Sequence, residues 1–465
     1  MAPRITVKAV EAFERDVRLR LPFRFGVVTL REAPQAFLRA YVERPDGRGE
    51  WGNAAELMIP KWFDKSPDRS NEENVDQLRR SVRSACRIQL DHIGAATAAD
   101  LAWSLDAEQR RCLADESGLV AGYGPALVVR AVLDGLCRLE GASFYEAIRT
   151  NRVGLGPEHL PADLAGFDVG RFLSGLRAGE SIEARHTVGL VDPLTEAEVT
   201  APLDDGLPES LEAVVARYGH RYFKLKVSGD AAADLDRLAA IAAVLDRGGD
   251  YRVTLDGNEQ FSDVDALADF LGRLASDRRL TQLVDAILYV EQPLHRASAL
   301  ERPLGALAER FAFIVDESDA DFDAFRQAKA LGYRGISSKT CKGLYRSIVN
   351  AARCRHWSEG SDQFFLSGED LTTQAGLAVQ QDLALVSLLG LDHVERNGHH
   401  YVDGMAGATA AEMDRFAQAH PDLYRRDATG LHLKISEGRI ATASLGCVGY
   451  ATAVEPDYAA MRPMT

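Results

Sequence analysis

After about Leu160 the chain repeats one pattern: a short run of apolar residues, then a longer stretch with apolar positions every three or four residues. HTVGLV precedes SLEAVVARYG, RYFKLKV precedes DLDRLAAIAAVLDRG, and YRVTLDG precedes DVDALADFLGRLA. AILYVEQP, FAFIVDE, RGISSK and FFLSGED continue the series; AGLAVQQDLALVSLLG follows the last of them and LDHVERNG closes it. The short runs are apolar on both faces, as strands buried in a parallel sheet are. The longer ones have the period of amphipathic helices. Such strand-then-helix units predict an α/β protein with a TIM-type barrel of seven or eight βα units. A dinucleotide-binding sheet fits less well, because no glycine-rich loop follows the first strand.

The first third has a different pattern. ITVKAVEAF and VRLRLPFRF cluster strand formers, and AFLRAYVERPDGRGEWG reads as a hairpin closed at Pro45-Asp46-Gly47. DQLRRSVRSACRIQL and GPALVVRAVLDGLCRLEGASFYEAI then carry apolar residues at helical spacing. Strands followed by helices predict a separate α+β unit. The expected organisation is an α+β domain over residues 1–155, a barrel over 156–398, and a mixed segment, 399–465, that packs back on the first domain.

Composition narrows the function. The 465 residues suffice for a barrel plus one further domain, with 46% hydrophobic and 26% charged residues. A net charge of −15 argues against nucleic acid or an anionic membrane as partner, since both demand a basic surface. It does not exclude an anionic small molecule, because local cations and a metal can reverse the field in one pocket. The six cysteines are scattered without a CxxC pair, so neither a cysteine zinc site nor a disulfide framework is expected. The start shows no leader pattern, and no apolar run of about 18 residues stands out; a cytoplasmic protein is the expectation, as is a homo-oligomer.

In a parallel barrel the reactive groups sit at the C-terminal ends of strands. Reading those ends alone gives Lys224 and Lys226, Asp256, Glu291, Asp316, Lys339, then Glu369 and Asp370, each set about one βα unit apart. Any one acid could simply cap the following helix. Three at successive strand ends converge and repel unless a cation sits between them, and an oxygen-rich site suits Mg²⁺, with Mn²⁺ as a substitute. Either Asp316 or Glu317 could be the third ligand, and Asp316 is nearer the strand. Lys224 and Lys226, two apart on a strand, point to the same side. Mutual repulsion, burial and a metal should push such lysines toward neutrality, where an amine can act as a general base. Lys339 belongs four strands further round, across the pocket. Lys342 reads as a surface or phosphate-type contact, or as having no role.

The order KxK, DxN, EQP, DES and a strand lysine resembles the enolase superfamily, in its muconate-lactonizing-enzyme and mandelate racemase-like subgroup. The resemblance is strong over Arg221 to Gly343 and looser over the first domain, which looks like that family's capping domain. It implies that Asp256, Glu291 and Asp316 bind Mg²⁺, that Lys226 and Lys339 are opposed bases, and that Lys224 stabilises the enolate and lowers the pKa of Lys226. The implied reaction is removal of a proton alpha to the carboxylate of a small substrate, followed by racemisation or epimerisation, cycloisomerisation or dehydration.

Two places depart from the family. Its usual strand-seven glutamate-serine pair is replaced by Thr372-Thr373 ahead of Gly376, so Glu369 or Asp370 would supply the missing acid. Strand eight reads Asp392-His393-Val394-Glu395 and lacks the aspartate-x-aspartate of dipeptide epimerases. His399 and His400 read as loop residues. Candidate substrate contacts are Asn258, Glu369, Asp370, and Arg24 and Lys61 in the loops Leu21–Leu30 and Glu56–Lys65, which could close over the pocket. A metal-dependent hydrolase would need an HxH pair at the first strand end, where RHTVG has only His186. A degenerate, non-catalytic relative would have lost a lysine or an acid, and none is missing.

Overall fold

The computed structural model describes residues 2–26, 28–360, 363–427 and 429–464. Eight parallel strands form the barrel: β4 (Ser181–Val188), β5 (Tyr222–Lys226), β6 (Arg252–Asp256), β7 (Ile287–Glu291), β8 (Phe313–Val315), β9 (Gly335–Ser338), β10 (Phe365–Gly368) and β11 (His393–Arg396). They pair in chain order, and β11 returns to pair with β4 from His393↔Glu183 to Arg396↔His186, which closes the wall. In a closed ring of eight, β5 and β9 are diametrically opposed. The register aligns Lys226 with Asp256 and Asp256 with Glu291, so three charged side chains leave adjacent strands at one level.

Three strands precede the barrel: β1 (Thr6–Phe25), β2 (Val28–Glu43) and β3 (Gly49–Leu57). Where the sequence suggests two strands before Phe25, the chain makes one of 20 residues, bent by a break in pairing between Arg18 and Phe23. The predicted hairpin turn is present, with Gly47 N–H donating to Arg44 O at 2.9 Å. Three helices pack on this sheet: α1 (Asn71–Asp91), α2 (Ala98–Cys112) and α3 (Gly118–Leu139). Ser70 with Glu73 and Thr97 with Asp100 form reciprocal capping pairs that start α1 and α2. Contact between α3 and β3 requires Gly52: a Cβ there would lie 2.0 Å from Gly135 N.

α3 corrects one expectation, because it is long and apolar enough to cross a membrane by length and composition. It is the central core helix of the first domain, with 94% of its apolar stretch buried inside the protein. The tail contacts both domains. Residues Arg439–Ala441 pair with the start of β4, and Arg462–Pro463 add an edge strand to β1.

Candidate active site

The C-terminal mouth of the barrel holds a cavity of about 340 Å³. Its floor is built by Lys224, Lys226, Asp256, Asp316, Lys339 and Glu395, and its roof by Phe23 and Phe25 of β1 and Ile59 and Trp62 after β3. The alternation of β5 explains the two lysines: Lys224 and Lys226 face inward while Leu225 packs in the outer core, fully buried.

Lys224 is the hub. Its Nζ lies 2.9 Å from Asp256 Oδ2, 2.8 Å from Glu291 Oε2, 2.8 Å from Glu369 Oε2 and 3.0 Å from Glu395 Oε2. Lys226 donates to Asp256 Oδ2 at 2.6 Å, and on the opposite wall Lys339 donates to Asp316 Oδ2 at 2.7 Å. The cap covers both: Lys339 Nζ sits 4.3 Å from the Trp62 ring centroid and Lys226 Nζ 5.9 Å from that of Phe23. Lys342 is not a surface residue. A 3₁₀ turn over Thr340–Lys342 folds it back, and it donates to Ser337 Oγ at 2.7 Å and pairs with Asp319 at 2.8 Å, beneath Asp316.

At Lys224 and Lys339 the surrounding carboxylates work against the expected drift toward neutrality. Burial alone would lower Lys224, but the four carboxylates around it hold its pKa well above the ordinary value. Burial likewise works to lower Lys339, and Asp316 overrides it upward. The reciprocal effect appears on the acids: against burial, the lysines hold Asp256 and Asp316 below the usual carboxylate range.

Glu291 is the exception. Burial raises its pKa far above the ordinary value, and Asp256 and Glu369 add to the rise more than Lys224 offsets. Its Oε2, although close to Lys224 Nζ, accepts no hydrogen bond. A fully buried carboxylate oxygen left without a hydrogen bond, beside two more acids, marks a shortage of positive charge at that point. Asp256, Glu291 and Asp316 therefore offer a hard oxygen set that suits a divalent cation. Glu317 accepts from Asn258 Nδ2 at 3.2 Å through Oε1, with Lys65 3.6 Å away, while its buried Oε2, like that of Glu291, accepts no hydrogen bond among the described residues.

The other predicted residues divide. Glu369 enters the acid cluster, held by Arg185 and by Tyr289 OH at 3.1 Å. Asp370 lines the cavity but is held by Arg396 at 2.9 Å. Asn258 lines it too, with its N–H donating to Asp256 Oδ1 at 2.9 Å. Arg24 is exposed, because β1 turns Phe23 and Phe25 toward the cavity and Arg24 away from it. Val27 of that predicted loop lies outside the described residues. Lys61 does not line the cavity: its Nζ donates to main-chain carbonyls of Ser66 and Arg69, and it holds a left-handed φ of 64°. Its role is to shape the turn that presents Trp62.

Several site residues escaped the sequence reading. Glu395 lies on β11, where the departure from the family pattern drew attention away from it, and Arg185 sits mid-strand on β4. Both were legible only as unusual charges inside apolar strands. Phe23 and Trp62 lie in the two segments expected to close over the pocket, and there the aromatic side chains, not Arg24 and Lys61, face the cavity; the latch that holds the cap loop had no sequence signal. That latch is Arg296, which donates to Trp62 O at 2.9 Å and Phe63 O at 3.1 Å while pairing with Glu259 at 2.8 Å. Lys65 meets the same Glu259 from the cap side. Asn258, Glu259, Gln292 and Thr372 all adopt positive φ just past strand ends, a cluster of strained backbone at the mouth.

Residues 206–391 match the sequence family of enolase C-terminal domain-like proteins. No curated protein matches the chain. Solved structures match it along nearly its whole length. An enolase from Bradyrhizobium complexed with magnesium and mandelic acid superposes with a TM-score of 0.63 at 16% identity, covering 99% of this chain and 98% of that one. A dipeptide epimerase from Enterococcus faecalis V583, complexed with Mg and the dipeptide L-Leu-L-Tyr, gives 0.62 at 13% identity over 96% and 99%. A mandelate racemase/muconate lactonizing protein from Herpetosiphon aurantiacus gives 0.59 at 18% over 97% and 99%. At these identities the likeness shows that the chain shares the fold of these structures.

Proposed function

We propose that this chain, whose residues 206–391 carry an enolase C-terminal domain-like barrel, is an enzyme that moves a proton at the carbon alpha to the carboxylate of a small substrate. One observation carries the reading: Lys226 and Lys339 project from diametrically opposed strands into one cavity, each already bonded to a carboxylate. A substrate lying between them would present opposite faces of its alpha carbon to two amines. One lysine, deprotonated, takes the proton; the electron pair left behind moves onto the substrate carboxylate. The other lysine, protonated, can return a proton to the opposite face, which gives racemisation or epimerisation. Use of one lysine alone gives elimination or cycloisomerisation.

Asp256, Glu291 and Asp316 would hold Mg²⁺, which supplies fixed positive charge for the substrate carboxylate where negative charge develops. Lys224 Nζ faces the same region and adds a second positive centre. Phe23, Ile59, Trp62 and Leu371 exclude water and so strengthen every one of these interactions. Mandelic acid and a dipeptide, the ligands of two structural neighbours, both carry a hydrogen alpha to a carbonyl group, in keeping with this substrate class.

The test is solvent exchange. N-acyl amino acids, dipeptides, 2-hydroxy acids and acid sugars are incubated with enzyme and Mg²⁺ in D₂O, and the alpha position is followed by NMR. Deuterium should enter at that carbon in at least one class and stop with EDTA. Product formation without exchange, or exchange undiminished by EDTA, would refute the mechanism.

A further inference from the structure

The outer wall of the barrel carries a second cluster of polar groups that the proton-transfer chemistry does not use. On β4, Arg185 and Thr187 reach inward to Glu369 and Glu395, so the intervening His186 points out. There it meets His220, in the link leading into β5, and His399, in the one-turn helix Gly398–Tyr401 that follows β11. The ring centroids are 5.3 Å apart for His186–His220, 5.4 Å for His186–His399 and 5.2 Å for His220–His399. One nitrogen from each lies within 4.8 Å of the other two.

Among the described residues these nitrogens have no hydrogen-bond partner. Nδ1 of His186, Nε2 of His220 and both ring nitrogens of His399 make no hydrogen bond, although His186 and His220 are only 2% and 5% exposed. Unsatisfied buried polar atoms each cost about 1–3 kcal/mol, and several converging on one point need an occupant. His220 is preset for one. Its Nδ1 lies 2.9 Å from Ala184 O, and a carbonyl can only accept, so the proton is on Nδ1 and the Nε2 lone pair is free. That is how metal-binding imidazoles are oriented. Burial holds all three imidazoles below their ordinary pKa, so they are neutral at physiological pH and able to coordinate.

We propose that His186, His220 and His399 form a binding site for a transition-metal ion, Zn²⁺ above all, at the seam where the last barrel strand meets the first. An all-imidazole set without a carboxylate selects borderline metals over Mg²⁺. With metal–nitrogen bonds of ~2.0 Å, tetrahedral ligands stand about 3.3 Å apart, so binding would turn the stacked His186 and His220 rings and draw the nitrogens in from a spacing of up to 4.8 Å. His399 also lines a small enclosed pocket with Tyr218, Arg396 and His432, with room for about one water as fourth ligand. The ion would staple β4, the approach to β5 and the turn after β11, the segments that close the ring.

Co²⁺ alone is the probe, added to the metal-stripped full chain. Asp256→Asn, in which the acid set at the barrel mouth is broken, should bind one Co²⁺ with the intense visible bands of a four-coordinate nitrogen site, displaced by one equivalent of Zn²⁺, and the wild type should show the same bands whether or not a second Co²⁺ enters the acid set. His399→Ala should bind at least about 10-fold more weakly and lose the bands. X-ray absorption of the wild type loaded with one Zn²⁺ covers the case of a variant that does not fold; imidazole scattering from three ligands is expected. Bands unchanged in His399→Ala, no bands in the wild type, or an oxygen-only zinc shell would each overturn the proposal.

Discussion

Lys339 Nζ lies 4.3 Å from the centroid of the Trp62 ring, so a cation at the end of a barrel strand is roofed by an aromatic side chain of the other domain. The contact ties the chemistry of the floor to the closure of the roof. Trp62 is held there by Arg296 from the barrel and by the left-handed turn at Lys61. The amine at β9 therefore meets a dry, electron-rich face only while the cap loop is docked.

Trp62→Ala should lower turnover by about 2- to 30-fold, the range expected for loss of one cation–π contact of about 0.5–2 kcal/mol. Trp62→Phe should recover most of it. Deuterium exchange into substrate measures both, and an alanine variant with full activity would separate Lys339 from its roof.

Lys224→Met should be severely destabilising without metal, by about 3–5 kcal/mol, because four buried carboxylates lose their shared cation. Mg²⁺ should restore more stability to the variant than it adds to the wild type. Urea unfolding with and without Mg²⁺ is the measurement; equal metal responses would contradict the role assigned to Lys224.

Glu291→Gln should act in the opposite sense. The carboxylate it removes is the one whose charge is least compensated, so the metal-free protein should gain stability. The same variant should lose the stabilisation by Mg²⁺, about 2.7 kcal/mol at a hundredfold excess over Kd. Thermal unfolding across a Mg²⁺ titration tests both halves together.

Glu56 predicts a pH dependence outside the cavity. It is buried at the end of β3, with Arg130 and Thr340 each 3.1 Å from its Oε2 and Asp382 nearby. Burial raises its pKa from 4.5 to about 7, Asp382 adding to the rise and Arg130 opposing it. The folded state thus holds this proton more tightly than the unfolded chain does. The stabilisation is complete below pH 4.5 and is lost as pH rises through about 7, with a magnitude of about 3 kcal/mol. Relative to Glu56→Gln, the wild-type Tm should fall between pH 5 and 8. Parallel profiles would show that Arg130 keeps the group ionised throughout.

The barrel and its charged rim were legible because both follow from local pattern. An apolar strand ending in a charge is readable at Lys226, Asp256, Glu291 and Lys339, and strand order then brings them to one mouth. What could not be read depends on longer range. Phe23 and Trp62 lie in segments expected to cover the pocket, but which side chains of those segments face it is set by docking of one domain on another. Lys342 looked like a residue past the strand end because the 3₁₀ turn that returns it to Asp316 has no strong sequence signature. The surroundings of Lys224 were only half legible for a similar reason: Lys226 was visible as its neighbour, whereas Glu369 and Glu395 come from two strands on the far side of the barrel sequence.

The bonds of Lys224 also bear on when the protein becomes active. Many small metal-binding domains cannot fold until their ion arrives, because nothing else reconciles the ligands. Here an ammonium group belonging to the chain itself lies among the acids and serves as a placeholder. The chain's own cation thus lets these acids pack together before any divalent ion is bound, which separates folding from metal loading.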